Sequence, residues 1–360
     1  EVDSNGLAEC IAKARQASGW DQRHSRPNQP GERRAMGVAI GAHISGLLST
    51  GAIVRVLEDG SVVLNTGAVD IGQGSDTVLV QMCAEALKVP VEQVSLASPD
   101  TDGSPYNWGT TASRVTYTTG RAVVAAAGEV EVQLKEQAAA MLECAVADLE
   151  LREGGLIGIK GADKEVSFMQ ASLRAHWAEG GPIVGHNTWV FDQPTVDPKR
   201  AVAKGLPFQR IGVYSFGCMI ADVVVDEASG KAEVVEAWSA ADVGRAVNPA
   251  SVESQLEGGF VQGMGFALSE EMVWDGGRLA NPTLLDYKVP TTLDTPYGIH
   301  TLIVEANESK GPFGAKGVGE ICLVPVPAAI GNAVNSALGV PIRSLPITPE
   351  KVLDRLLDES

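Results

Sequence analysis

The sequence predicts an α+β fold made of two similar strand-loop-helix subdomains, mixed sheets packed with helices. Two observations carry this. Alternating Val, Ile and Leu residues at 52–65, and again at 213–225 and 232–240, are broken by the short polar turns Glu58-Asp59-Gly60-Ser61 and Ser229-Gly230. That is the pattern of β-hairpins with one buried face. Each hairpin then passes through an Asp-x-Gly-x loop into an apolar helical stretch: Asp70-Ile71-Gly72-Gln73 before a helix over 77–89, and Asp242-Val243-Gly244-Arg245 before a helix over 251–266. A supersecondary unit that recurs within one chain points to two related halves with a ligand cleft between them. The expected divisions are 1–35 (helix and linker), 36–205 (subdomain A) and 206–360 (subdomain B).

The remaining elements follow in order. Residues 1–20 carry Leu7, Ile11, Ala14 and Arg15 at helical spacing and stop at Ser18-Gly19. Residues 21–34 are polar, charged and contain proline, so they read as a linker crossing the surface, and 37–44 read as a strand. Residues 121–149 are Ala-rich and form a helix or helix pair; a hairpin at 151–163 and a helix at 168–179 follow. Gly, Pro and Asn punctuate 180–206 around a β-like Thr188-Trp189-Val190-Phe191. Beyond the second Asp-x-Gly-x loop come a hairpin at Asp275-Gly276-Gly277, a loop over 281–294, a strand at 300–304, a helix over 324–338 and a last helix from Pro349.

With 44% hydrophobic and 20% charged residues, the composition is globular, and no run approaches the roughly 18 unbroken apolar residues of a membrane span. A net charge of −17 argues against a nucleic-acid partner, which needs clustered Lys and Arg. Five scattered cysteines without a C-x-x-C pair predict reduced thiols in a cytoplasmic protein rather than a disulfide framework or a zinc site.

Three stretches carry candidate chemistry. The loop Asp70-Ile71-Gly72-Gln73-Gly74-Ser75-Asp76 is either a plain strand-to-helix turn or a set of free backbone N–H groups for an anion. Thr101 to Gly120 crowds hydroxyls and small residues around Trp108, which suits a polar heterocyclic ligand or an ordinary Ser/Thr-rich loop. Lys310-Gly-Pro-Phe-Gly-Ala-Lys-Gly-Val-Gly-Glu320 allows close approach of its backbone and ends in one carboxylate ahead of an apolar helix. By itself Glu320 is either a helix-terminus residue favoured by the macrodipole or a group that does chemistry.

Taken together, four separated motifs resemble the molybdenum-binding large subunit of xanthine dehydrogenases, aldehyde oxidases and related bacterial molybdenum hydroxylases. They are Asp70-Ile71-Gly72-Gln73-Gly74, Thr110-Thr111-Ala112-Ser113, the run from Asp242-Val243-Gly244 through Asn248-Pro249 to Gln255-Leu256-Glu257-Gly258 and Gln262-Gly263, and Lys316-Gly317-Val318-Gly319-Glu320. The resemblance implies a molybdopterin cofactor, in its cytosine dinucleotide or plain form, with molybdenum held through the pterin and not by a protein ligand. It implies cofactor contacts from Ile71, Gly72, Gln73, Gly74, Thr111, Ala112, Ser113, Thr116, Gln255, Val318 and Gly319. The implied base is Glu320, in a glycine-lined, apolar pocket, and the implied reaction is oxidative hydroxylation of an N-heteroaromatic ring with oxygen drawn from water. The strand matching the family's aromatic-lined pocket wall carries Ala42 and His43 here, where purine enzymes stack a ring on Phe.

Two departures matter. The preceding half of the family's large subunit is absent, so the sequence resembles the C-terminal half, as a fragment or as a separate subunit of the nicotinate dehydrogenase type. The five scattered cysteines cannot hold two 2Fe–2S clusters, which are expected, with FAD, on partner subunits. An obligate hetero-oligomer follows, its cofactor cleft completed by the partner half. Alternatives are an aldehyde oxidoreductase, a carbon monoxide dehydrogenase or aromatic-thioester reductase relative, or a cofactor-binding scaffold without turnover.

Overall fold

The computed structural model describes residues 2–46, 48–178, 180–190 and 213–358. Helix α1 (Leu7–Ser18) leads through a 3-10 turn to strand β1 (Glu32–Ile44), and β2 (Thr50–Val56) and β3 (Val62–Thr66) form the first hairpin. There follow α2 (Ser75–Leu87), β4 (Val94–Ala97), α3 (Gly120–Leu142), the small sheet β5 (Leu149–Arg152), β6 (Leu156–Ile159) and β7 (Glu165–Ser167), then α4 (Phe168–Trp177) and β8 (Ile183–Trp189). The second hairpin is β9 (Tyr214–Asp226) and β10 (Ala232–Asp242), succeeded by α5 (Pro249–Leu268), the two-residue strands β11 (Trp274–Asp275) and β12 (Arg278–Leu279), β13 (Gly298–Val304), α6 (Val326–Leu338) and α7 (Pro349–Asp358). The expected α+β class and the recurring strand-loop-helix units are both present.

The chain forms two compact units. Unit A comprises Ser45–Gly212 and Lys310–Gly317; unit B comprises Glu1–Ile44, Val213–Ser309 and Val318–Ser360. This differs from consecutive divisions at 35 and 205. The reason is strand pairing: β1 runs antiparallel to β9 without interruption from Glu32↔Asp226 to Ile44↔Tyr214, which draws residues 32–44 into unit B. The expected boundary at 205, and Phe191 with it, lies outside the described residues.

Unit A has the sheet order β4-β3-β2-β8 and unit B the order β13-β10-β9-β1. In each, the central hairpin is antiparallel, the strand beyond the helix returns parallel to the hairpin's second strand, and the last strand is antiparallel to its first. The helix after each hairpin packs on a second helix, α2 on α3 and α5 on α6, which in turn covers the last two strands of its sheet. The topologies match, but the closing strand comes from opposite sides of the hairpin in sequence: β8 follows it in unit A, and β1 precedes it in unit B. Unit B is thus a circular permutation of unit A.

The cores follow from helical and strand periodicity. In unit A, Val54, Val56 and Leu64 of the hairpin meet Leu79, Cys83 and Leu87 of α2 and Val123, Ala126, Val130 and Leu134 of α3, at roughly 1.5–3 kcal/mol for each large apolar side chain taken from water. In place of a helix pair over 121–149 there is one helix, α3, which follows a π turn at Val115–Thr119 and stops where Glu143 adopts left-handed backbone.

The N-terminal segment differs from its expected form in two ways. Helix α1 buries Cys10, Ala14 and Ser18 and leaves Ile11 outward, because small side chains let it lie close to β9 and β10. Residues 21–34 are no free linker. Fully buried Asp222 on β9 accepts from Nε and Nη2 of Arg34 at 3.0 and 2.8 Å and from Arg26 at 2.5 Å, while Arg26 also donates to Ser18 O and lies over the Trp238 ring. A buried carboxylate of this kind is stable only while its cations remain. Asp222→Ala is expected to lower the unfolding free energy by about 3 kcal/mol in urea titrations, and in a double-mutant cycle with Arg34→Ala the two losses should be less than additive.

Candidate functional site

In unit A three of the sequence motifs come together. Thr110 donates from its hydroxyl to Val69 O at 2.6 Å, tying the Thr110–Ser113 loop to the loop that begins at Asp70. Gly317 N donates to the hydroxyl of Ser45 at 2.9 Å, and Gly46 N to Ala112 O at 3.0 Å. A Cβ on Gly317 would stand 1.9 Å from Ser113 O, so only glycine lets the Lys316-Gly317 backbone lie against this loop. Ala112 and Ser113 are both left-handed, with φ of 53° and 48°. Two successive non-glycine residues in that region store local strain of a kind found at ligand-holding segments.

The Asp70 loop is built differently from the expected anion cradle. Its backbone N–H groups point inward: Gly72 and Gly74 donate to Asp70 Oδ1 and Asp76 to Oδ2, at 2.8–3.4 Å, and Ile71 N donates to Gln73 Oε1 at 2.7 Å. The Gln73 amide donates in turn to Ser75 Oγ at 2.8 Å. The Asp70 carboxylate therefore fills the place an external anion would take. Burial works to raise its pKa, but the N–H donors of Asp76, Gly72, Gly74 and Ser75 together outweigh that and hold it below the usual carboxylate range. What the loop offers outward is the Ile71 side chain, 70% exposed.

Thr111 is exposed, and Ser113 and Thr116 are half-buried at the loop and on the π turn that follows. Behind them lies a residue the sequence analysis did not single out. Arg114 is fully buried and donates to Asn107 Oδ1, Gly109 O and Ser49 O at 2.8–3.0 Å, all neutral acceptors. Burial brings its pKa down to about 10, which leaves it cationic at neutral pH. A buried cation behind a hydroxyl-lined loop suits an anionic, hydrogen-bonding ligand such as a pterin with a phosphate tail. The only sequence signal was an arginine inside a run of small polar residues.

In unit B, Glu320 lies between anchored neighbours. Ile321 and Cys322 are buried in a cluster with Val243, Val252 and Leu256, against which Val318 packs. A Cβ on Gly259 would meet Cys322 Sγ at 2.2 Å, so α5 approaches the segment through glycine. Gln255 lies one turn before Gly259, on the same face of α5, and is half-buried. The Cys322 thiol donates to Gly319 O at 3.0 Å, and burial pushes its pKa up to about 12, so it serves as a packed, neutral thiol.

Glu320 stands six residues ahead of α6, too far to belong to that helix's first turn. Among the described residues Glu320 lacks the apolar enclosure expected around it: the side chain is 37% exposed. Its Oε2 lies 3.6 Å from Nδ1 of His43, which is also 2.9 Å from Ile44 O. A carbonyl only accepts, so Nδ1 carries the proton and donates it to Ile44 O, with the carboxylate of Glu320 beside the same ring edge at 3.6 Å. Ala42 does not share this face. Met36 and Val38 pack under α1 and Ala39 packs toward α6, so strand alternation puts His43 on the side of Ala39 and Ala42 on the other.

Two outcomes test this geometry. A carboxylate whose folded pKa is depressed contributes stability above its unfolded value of about 3.9, and loses it as pH falls through the folded value. Asp70→Ala should therefore cost about 1–2 kcal/mol at pH 7, and in chemical denaturation the gap from wild type should narrow below about pH 4. Burial raises the thiol pKa of Cys10, Cys83 and Cys322 to about 12 and that of Cys218 to about 11, while Cys144 is half-exposed. An aromatic disulfide reagent at pH 8 should label Cys144 at once and the other four only on unfolding.

Comparison with known proteins places this geometry. Residues 13–296 match the family described as molybdopterin cofactor-binding domain. The chain is 35% identical over 366 residues to a putative xanthine dehydrogenase molybdenum-binding subunit of Escherichia coli, covering 98% of this chain and 46% of the relative. It is 31% identical over 362 residues to an aldehyde oxidoreductase molybdenum-binding subunit from the same organism, covering 98% and 45%. Its fold superposes on the crystal structure of quinoline 2-oxidoreductase from Pseudomonas putida 86 with a TM-score of 0.85 at 27% identity, over 99% of this chain and 46% of that one. The chain thus spans about half the length of the curated relatives it matches. The chain belongs to the molybdopterin cofactor-binding domain family and matches about half of the length of molybdenum-binding subunits of a xanthine dehydrogenase and an aldehyde oxidoreductase.

Proposed function

We propose that this chain is the C-terminal molybdopterin-binding part of a hydroxylase that oxidises an N-heteroaromatic ring, with Glu320 as its base. The observation that carries the reading is the Glu320 segment: a solvent-accessible carboxylate, held by buried Ile321 and Cys322, with the His43 imidazole 3.6 Å from it. A carboxylate used only for capping needs neither. When bound, the molybdenum cofactor supplies the two-electron redox chemistry and the activation of a water-derived oxygen.

The chain's own residues would do the rest. Thr111, Ser113 and Thr116 offer hydroxyls to the pterin and its phosphate, in the cytosine dinucleotide or the plain form, with the Arg114 charge behind them; the backbone at Gly72, Ala112, Val318 and Gly319 and the Gln255 amide complete the set. Gln73 acts indirectly, since its amide shapes the loop that presents Ile71 and Gly72. Glu320 takes a proton from the attacking oxygen at Oε2, a role worth roughly 10²–10⁴-fold in rate. His43 stands beside that carboxylate, and in its protonated form can donate from Nε2 to a ring nitrogen. The reaction adds a hydroxyl from water to carbon and releases two protons and two electrons, which would leave through 2Fe–2S clusters and FAD on partner subunits in a cytoplasmic complex.

A second reading, an aldehyde oxidoreductase, draws on the 31% identity to the aldehyde relative. A panel of nicotinate, xanthine, quinoline and benzaldehyde, assayed on the complex purified with its native partners, separates the two by kcat/KM. Molybdenum should be present at about one per chain. Glu320→Gln should keep that metal and lose at least about 100-fold in kcat; a metal-free complex with full activity, or near-normal turnover by the variant, would overturn the proposal.

A further inference from the structure

Residues 269–297 of unit B, between α5 and β13, form an arm that is bonded within itself and leaves large apolar side chains exposed. Only Pro296 is buried among them. Several of their polar groups are bonded to one another: Tyr287 donates to Glu270 at 2.7 Å, Ser269 Oγ to Lys288 O at 2.8 Å, and the Asn281 side chain donates to Glu271 O at 2.7 Å while accepting from Val273 N at 2.9 Å. Their apolar side chains point out, with Trp274 59%, Leu284 77%, Leu285 76%, Leu293 94% and Tyr297 105% exposed. A cavity of about 840 Å³, lined by Met264, Leu268, Lys288, Leu293 and Ile347 among others, lies between the arm and its own unit. Single exposed apolar residues need no explanation, but several large ones on one internally bonded segment mark a surface made to be covered.

We propose that this arm is the docking surface for the rest of the enzyme: the portion of its relatives' length that this chain does not span, whether on the same polypeptide or a separate one. The proposal rests on the reading of the chain as part of a larger molybdenum enzyme. Two observations choose this occupant over a second copy. The arm lies inside the region that matches the family, up to residue 296, so it belongs to the family's domain, and the chain covers only 46% and 45% of two curated relatives. A second copy would bring another −17 of charge, and like charge opposes self-association.

Hydrogen exchange read by mass spectrometry, on the assembled enzyme and on this chain alone, tests it. In the assembly the amides of 281–297 should exchange at least tenfold more slowly than in the isolated chain. The combined variant Leu284→Asp, Leu285→Asp, Leu293→Asp and Tyr297→Asp should keep the chain's circular dichroism and melting temperature, yet fail to hold the remaining portion, identified by its peptides, in a 1:1 complex. Equal exchange in both states, or a variant that still assembles, overturns the proposal. So does a dimer of the isolated chain in sedimentation that protects 281–297 and is lost in the variant, since the occupant is then a second copy. Molybdenum is measured in parallel: a metal-free assembly with a protected arm removes the hydroxylase reading and leaves the docking surface standing.

Discussion

The interaction on which the rest depends is a carboxylate turned inward where a strand becomes a helix. A tight crossover leaves backbone N–H groups that the coming helix cannot satisfy, and an unpaired buried N–H costs about as much as a lost hydrogen bond. In unit A, Asp70 takes those of Gly72, Gly74 and Asp76. In unit B, fully buried Asp242 takes Gly244 N at 3.1 Å, and also Gly6 N and Ala306 N at 2.9 and 3.3 Å, so one side chain fastens the approach to α1 and the exit from β13 to the same turn. The same device at the same topological point in both units explains why Asp-x-Gly-x recurs in a chain whose other residues have diverged.

With the loops closed upon themselves, the candidate site has to be made from what they leave outward and from places where backbones meet without side chains between them. Gly317 brings its backbone against Ser113, and Gly259 brings α5 against Cys322. Within unit B the second contact anchors Cys322, two residues beyond Glu320. The strain at Ala112 and Ser113 is offset by the same contacts, since Gly46 and Gly317 bond into or against that loop. The Thr110–Ser113 loop of unit A presents hydroxyls with the buried Arg114 cation behind them, polar chemistry that a chain of net charge −17 supplies locally.

Much of this was legible in the residues. Alternation gave the hairpins, helical spacing gave α2, α3, α5 and α6, and the repeated loop predicted two like units. The misreadings have physical causes. Residues 21–34 look like a linker because Arg26 and Arg34 find their partner, Asp222, nearly two hundred residues away. Strand β4 is four residues long with a polar Ser95, too short for a pattern to show. Ala42 and His43 were read as one pocket wall, yet neighbours on a strand face opposite ways. Arg114 went unnoticed because nothing local reveals that an arginine is buried.

By itself, then, the sequence determined the local elements, the recurrence of the Asp-x-Gly-x loops and the family, since periodicity, turn chemistry and motif order are written in neighbouring residues. Only the tertiary structure decided which strand closes each sheet, that Asp70 fills its own loop, that His43 and not Ala42 faces Glu320, and that Arg114 lies behind the hydroxyl loop. The Asp70 bonds are local, but which way a loop turns its N–H groups is a matter of backbone conformation; the other facts depend on residues distant in the chain meeting, and sequence spacing carries no record of either.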